Sequence, residues 1–243
     1  MSGTKEHCDG SSASETIARC GGAEFDAVAA NYKEMVDENL RITGESSDYF
    51  AAYKANYIAR NIIRGDGPGK ILDYGCGVGL LVRHLKRCLP DMQVDGYDIS
   101  ASSLDRIDRD LRKQGVFTRE IDVLGRDYEV MVVANVLHHV RPEGRRALIA
   151  EAASHLSPGG KMVIFEHNPV NPLTKWAVSR CPFDEGVVLL PASEVRSLCT
   201  DTLRIRQTDY IVFFPSWLNW LRPFERLLGW CPAGAQHATV ACR

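Results

Sequence analysis

The run Lys70-Ile-Leu-Asp-Tyr-Gly-Cys-Gly-Val-Gly79 constrains the fold more than any other stretch of the chain. Apolar residues around Asp73 predict a short buried strand, Gly75, Gly77 and Gly79 a tight loop, and Leu80 onward a helix. Strand, glycine loop and helix together make the first βα turn of a nucleotide-binding sheet. The backbone there must bend sharply and lie against a ligand, which a Cβ would obstruct. A dinucleotide fingerprint would place glycine at position 80, where this chain has Leu80.

Downstream, strands and helices alternate. Leu81, Leu85, Cys88 and Leu89 share a helical face that Pro90 closes, and Met92 to Asp98 is a second strand. Ser100 caps a helix with Leu104, Ile107 and Leu111 inward and Gly115 at its end. Val116 to Ile121 and Tyr128 to Ala134 read as strands three and four, the latter an unbroken apolar run suited to burial on both faces. Glu143 to Leu156 is helical, Pro158-Gly159-Gly160 a turn, and Lys161 to Glu166 a fifth strand. Such alternation implies parallel pairing with right-handed crossovers. Beyond it come a loop over 167–173, short helices over Thr174 to Arg180 and Pro191 to Cys199, and strands over Arg204 to Phe214 and His237 to Cys242.

Four ordered segments resemble one family. Asp73-Tyr-Gly-Cys-Gly-Val-Gly79 resembles the first motif of the class I S-adenosylmethionine-dependent methyltransferases, and Asp98, ending Val94-Asp-Gly-Tyr-Asp98, their second. Val136-Leu-His-His-Val140 and Leu156-Ser-Pro-Gly-Gly-Lys161 resemble two later segments in the right order. The implied fold is a Rossmann-like, seven-stranded, mostly parallel α/β sheet with helices on both faces, its last strand antiparallel. The implied cofactor is S-adenosylmethionine, with S-adenosylhomocysteine as product. The expected organisation is a flexible tail over 1–22 and one methyltransferase domain over 23–243. That domain divides into a helical cap (23–66), a cofactor-binding core (67–167) and a substrate-side region with the last strands (168–243).

Cofactor roles follow. Asp98, nineteen residues beyond Gly79, is placed for the ribose hydroxyls, as an acid is in dinucleotide sites. Gly75, Gly77 and Gly79 let the loop approach the ligand, and the resemblance assigns Asp73 and Asn135 to the amino-acid end, Ile99 to an apolar face for adenine, and Asp122 to an adenine contact. Phe25, Val28, Ala29, Tyr32, Val36 and Leu40 recur at helical spacing, and this helix and a second, Tyr49 towards Arg64, belong to the extension that covers the cofactor in the family. Tyr49, Tyr53 and Lys54 are candidate pocket residues, unless the tyrosine rings simply pack against their own helices.

For the acceptor's proton the candidates are His138 and His139, at a strand's carboxyl end where open α/β sheets bind ligands, and likewise His167 and Glu166. Three of four tryptophans fall within Phe213 to Trp230. With Trp217 and Trp220 this stretch is a candidate wall for an apolar acceptor, the alternatives being a dimer contact, an interfacial helix or simple packing on the sheet.

Composition excludes little beyond this. A net charge of −2 with no basic run interleaved with aromatics gives no nucleic-acid footprint. The eight cysteines contain no Cys-x-x-Cys pair or cysteine–histidine cluster, so reduced thiols and no metal are expected. No apolar run resembles a secretory signal or reaches membrane-spanning length, which makes a cytoplasmic monomer or homodimer the expectation, with peripheral membrane contact left open. Two other readings stand beside methyl transfer to O, N or C of a small, partly apolar molecule. One is a non-catalytic cofactor-binding or partner-stabilising protein. The other is an NAD(P)-dependent oxidoreductase, against which Leu80 speaks.

Overall fold

The computed structural model describes residues 37, 44–63, 69–181, 184 and 186–243. The expected tail over 1–22, Tyr32 and most of the helix expected over 25–40 lie outside the described residues.

Seven strands form one sheet in the order β3-β2-β1-β4-β5-β7-β6. In chain order they are β1 (Lys70–Tyr74), β2 (Gln93–Tyr97), β3 (Phe117–Thr118), β4 (Tyr128–Ala134), β5 (Leu156–His167), β6 (Arg204–Ile211) and β7 (Gln236–Cys242). The first five pair in parallel, and β7 runs antiparallel to both β5 and β6. The helices are α1 (Ser47–Asn61), α2 (Leu80–Cys88), α3 (Ala101–Asp105), α4 (Arg109–Arg112), α5 (Pro142–Ser154), α6 (Pro172–Ser179) and α7 (Ala192–Cys199).

Because strand side chains alternate between faces, the apolar runs of the central strands feed two cores. Ile71, Val130, Val132, Val163 and Phe165 meet Ile58 of α1 and Leu81, Val82 and Leu85 of α2. Their neighbours Leu72, Met131, Val133, Met162 and Ile164 meet Leu148, Ile149 and Ala152 of α5 and Val195 and Leu198 of α7. The sheet is thus covered on both faces, as expected.

Four boundaries depart from the sequence reading. The helix expected from Ser100 to Gly115 is two short ones, because Asp108 caps α4 by accepting from the Asp110 N–H at 2.8 Å and so restarts the helix. Strand three shrinks to Phe117–Thr118, and Ile121–Val123 is a 3-10 turn. Pro158-Gly159-Gly160 lies within β5 as a bulge: Tyr128 pairs with Leu156, but Val130 already pairs with Lys161. Strand six stops at Ile211 because Val212 has φ of 60°. There Glu225, buried, accepts the N–H groups of Phe213 and Phe214, both at 3.0 Å, and leads the chain into a 3-10 segment over Ser216–Leu227.

Among the described residues no helix is long and apolar enough to cross a membrane. Among the described residues Cys76, Cys88, Cys199, Cys231 and Cys242 are free thiols.

Candidate active site

The sheet order reverses between β1 and β4, and open α/β sheets bind ligands at the carboxyl ends of such a pair. After β1 the chain turns on glycines in the left-handed region. Gly75 has φ of 86°, and a Cβ there would stand 2.4 Å from Val136 Cγ2. Gly77 has φ of 52° with nothing within 4 Å of where its Cβ would be, so its backbone borders open space. The loop is tied to β2: the N–H groups of Gly75 and Cys76 both donate to the Tyr97 carbonyl, at 2.7 and 3.0 Å.

Asp98 follows β2. One carboxylate oxygen accepts the Gly77 N–H at 2.7 Å and the other the Ser100 N–H at 2.9 Å, which fixes the acid against the glycine loop. Ile99 is half-buried beside it, and Asp122 is exposed on the 3-10 turn after β3. Across the switch point, Asn135 sits just past β4 with φ of 57°, a strained conformation for a residue with a side chain. Asp73 Oδ1 and Asn135 Oδ1 are both buried without a hydrogen-bond partner. Two orphaned acceptors beside an open backbone cradle suit an ammonium-bearing ligand, since buried polar atoms are normally paired. The residues therefore fit S-adenosylmethionine.

Lys54 of α1 and Asp73 are both buried, and their charges are coupled. Burial, helped by the Asp98 carboxylate and opposed by Lys54, pushes Asp73 up to about 7. Burial lowers Lys54 to about 8 against the pull of Glu166 and Asp73. Lys54 Nζ also stands 5.8 Å from the Phe165 ring centre.

The three candidate histidines do converge. The rings of His138 and His139 are 4.2 Å apart and those of His138 and His167 5.2 Å apart. His138 Nδ1 lies 2.6 Å from the Glu166 carboxylate, whose other oxygen takes the Leu137 N–H at 2.8 Å. Burial works against charge on His138, but the Glu166 and Asp184 carboxylates outweigh it and raise the imidazole to about 9. Burial works against Glu166 too, yet His138 holds that carboxyl down at about 2. Burial, reinforced by the His138 charge, lowers His139 to about 3 and His167 to about 4. The carboxylates of Glu166 and Asp184 thus favour the charged form of His138, while burial favours the neutral form of His139 and His167.

Asp184 is a member that sequence spacing does not reveal. It stands between His138 and His139, yet comes from a segment beyond α6, far from both in the chain. No periodicity or motif marks it.

Tyr49 and Tyr53 lie on α1 with rings 6.2 Å apart, and the Arg222 guanidinium stacks over Tyr49 at 4.3 Å. The tyrosines therefore pack locally, against each other and the 3-10 segment. Trp217 and Trp220 are 69% and 68% exposed, so the tryptophans of that segment face outward instead of packing on the sheet.

A methyltransferase-domain family model matches residues 47–237. The ribosomal RNA small subunit methyltransferase C of Alcanivorax borkumensis is 33% identical over 120 residues, covering 45% of this chain and 35% of that protein. The match thus spans about a third of that relative's length. Among solved structures, magnesium protoporphyrin IX methyltransferase from Synechocystis, with bound S-adenosylhomocysteine, superposes with a TM-score of 0.63 at 15% identity, covering 93% of this chain and 99% of that one. The N-methyltransferase NodS from Bradyrhizobium japonicum gives 0.55 at 14% identity, covering 86% and 98%. With the family model spanning most of the chain, and the glycine loop, Asp98 and the sheet order arranged as described, the chain belongs to the class I S-adenosylmethionine-dependent methyltransferases.

Proposed function

We propose that the chain methylates an oxygen, nitrogen or carbon of a small, partly apolar molecule. The observation that carries cofactor use is the Gly77 N–H bonded to Asp98 beside the unpartnered oxygens of Asp73 and Asn135. When bound, the cofactor supplies an already electrophilic methyl group. The protein's tasks are then to align the acceptor and take its proton, worth about 7–11 kcal/mol and roughly 10²- to 10⁴-fold respectively in favourable cases. His139 and His167, uncharged and at the carboxyl edge of the sheet, are the groups for the proton, while His138 has its Nδ1 engaged by Glu166.

Two features support a small acceptor. The net charge is −2, and the likeness to RNA methyltransferases covers only a third of their length. A transfer assay with labelled cofactor tests this. It compares a panel of aromatic and lipid-like hydroxyl and amine compounds with small-subunit ribosomal RNA. Label in the small molecules is expected; label in RNA alone overturns the reading. In the same assay, Trp217→Ala with Trp220→Ala raises the acceptor KM if the exposed aromatic strip is part of its path, and an unchanged KM removes the strip.

A further inference from the structure

We propose that His138, His139 and Asp184 form a binding site for one divalent transition-metal ion of the zinc class. Asp184 Oδ1 stands 3.6 Å from His138 Nε2 and 3.5 Å from His139 Nε2, and all three ligand atoms lie within 4.8 Å of one another. Those two separations exceed the about 2.7–3.2 Å of ordinary N–H···O hydrogen bonds. They match a coordination polyhedron instead: metal bonds of about 2.0–2.1 Å at tetrahedral angles put neighbouring ligand atoms roughly 3.3–3.4 Å apart.

The surroundings are those of a ligand set. The Glu166 carboxylate engages His138 Nδ1 at 2.6 Å, and the other ring nitrogen, Nε2, is the one that faces Asp184 and is left to bind. A buried carboxylate behind a histidine is the usual way of orienting a metal-bound imidazole. Both histidines sit on the 3-10 turn Leu137–His139, directly after β4. The segment that carries Asp184 is pinned farther along, by Arg145 Nη2 to the Val188 carbonyl at 3.1 Å and His237 Nε2 to the Leu190 carbonyl at 2.9 Å. Two imidazoles with one carboxylate favour zinc and its neighbours over magnesium or calcium, which take oxygen.

Three protein ligands leave a coordination position for a small molecule. Asp184 also lines a cleft of about 610 Å³ with Lys175, Val178, Arg180 and Val187. The ion's role, as distinct from its site, rests on the proposed methyl transfer. An acceptor hydroxyl on the ion becomes more acidic. Its proton passes to His167, outside the ligand set, and its oxygen electron pair forms the new bond to the methyl carbon as the carbon–sulfur pair stays with sulfur. With the ion bound His139 is a ligand, and of the two imidazoles named for the proton His167 remains.

The experiment uses the full chain after chelator treatment, titrated with Zn²⁺ by calorimetry and with Co²⁺ by visible absorption. S-adenosylhomocysteine binding is measured in parallel on every variant. One Zn²⁺ per chain and the ligand-field bands of low-symmetry, four-coordinate Co²⁺ are expected. Asp184→Asn and His139→Gln should lose both while still binding S-adenosylhomocysteine, and Glu166→Gln should weaken Zn²⁺ by about 10- to 100-fold. Zn²⁺ bound equally by wild type and Asp184→Asn would be thiol-held and overturns the site. Wild-type methyl transfer undiminished in excess chelator overturns the ion's role. A bound ion with transfer to RNA alone leaves the site standing and removes only the small-acceptor reading.

Discussion

Asp73 is where the demands of folding and of ligand binding oppose each other most directly. Its carboxyl is buried with one oxygen unpartnered, and burial together with Asp98 raises it from 3.8 to about 7 in the folded chain. A folded-state value above the unfolded one means the native protein holds the proton more tightly. The contribution of Asp73 to stability is therefore greatest below about pH 4, declines as pH rises towards 7, and is flat above, the loss being on the order of 4 kcal/mol. Asp73→Asn removes the titration. Thermal melts of the ligand-free protein should show wild-type Tm falling relative to the variant between pH 5 and pH 8, while S-adenosylhomocysteine affinity drops at least tenfold in the variant. Parallel Tm profiles would mean that Lys54, buried in the same charge cluster, already neutralises the acid.

At the scale of elements, the end of β6 is held by one side chain. Glu225 accepts two successive backbone N–H groups, those of Phe213 and Phe214, just after Val212 adopts a left-handed φ that a β-branched residue resists. Truncation to Ala orphans both donors, and with charged acceptors worth about 1.5–3 kcal/mol per bond the expected loss is roughly 3 kcal/mol in urea unfolding. Glu225→Gln, which keeps one acceptor oxygen, should lose less than half of that; equal losses would assign the effect to packing. Nothing in the sequence marks this device, because a lone Glu among tryptophans and leucines reads as the polar face of an amphipathic stretch. The same blindness covers the 3-10 segment itself, whose apolar spacing cannot say that Trp217 and Trp220 point outward. By contrast β1, its glycine loop and α2 were legible, since period and glycine placement are local and the positive φ values at 75, 77 and 79 demand glycine. The histidines were legible as residues at strand ends. Asp184 was not, because it reaches them only through long-range packing.

The sheet order sets the glycine loop and Asp98 on one side of the β1/β4 switch point and Asn135 and the histidine turn on the other, so a cofactor held there would be gripped from both. Such a ligand should stabilise the fold as a unit. At a hundred times its Kd, S-adenosylhomocysteine adds about 2.7 kcal/mol, and for a chain of this size that corresponds to a Tm rise of roughly 5–10 °C. Two variants separate binding from stability. Asp98→Ala removes the anchors of the Gly77 and Ser100 N–H groups along with the proposed ribose contact, so both the ligand-free Tm and the ligand-induced rise should fall. Gly77→Ala meets no atom of the protein within 4 Å, and its left-handed backbone costs only about 1–2 kcal/mol. Its ligand-free Tm should therefore drop by a few degrees while the ligand-induced rise vanishes, because the added methyl occupies the space the backbone leaves for the cofactor. A full rise in Gly77→Ala would place the ligand elsewhere on the sheet edge.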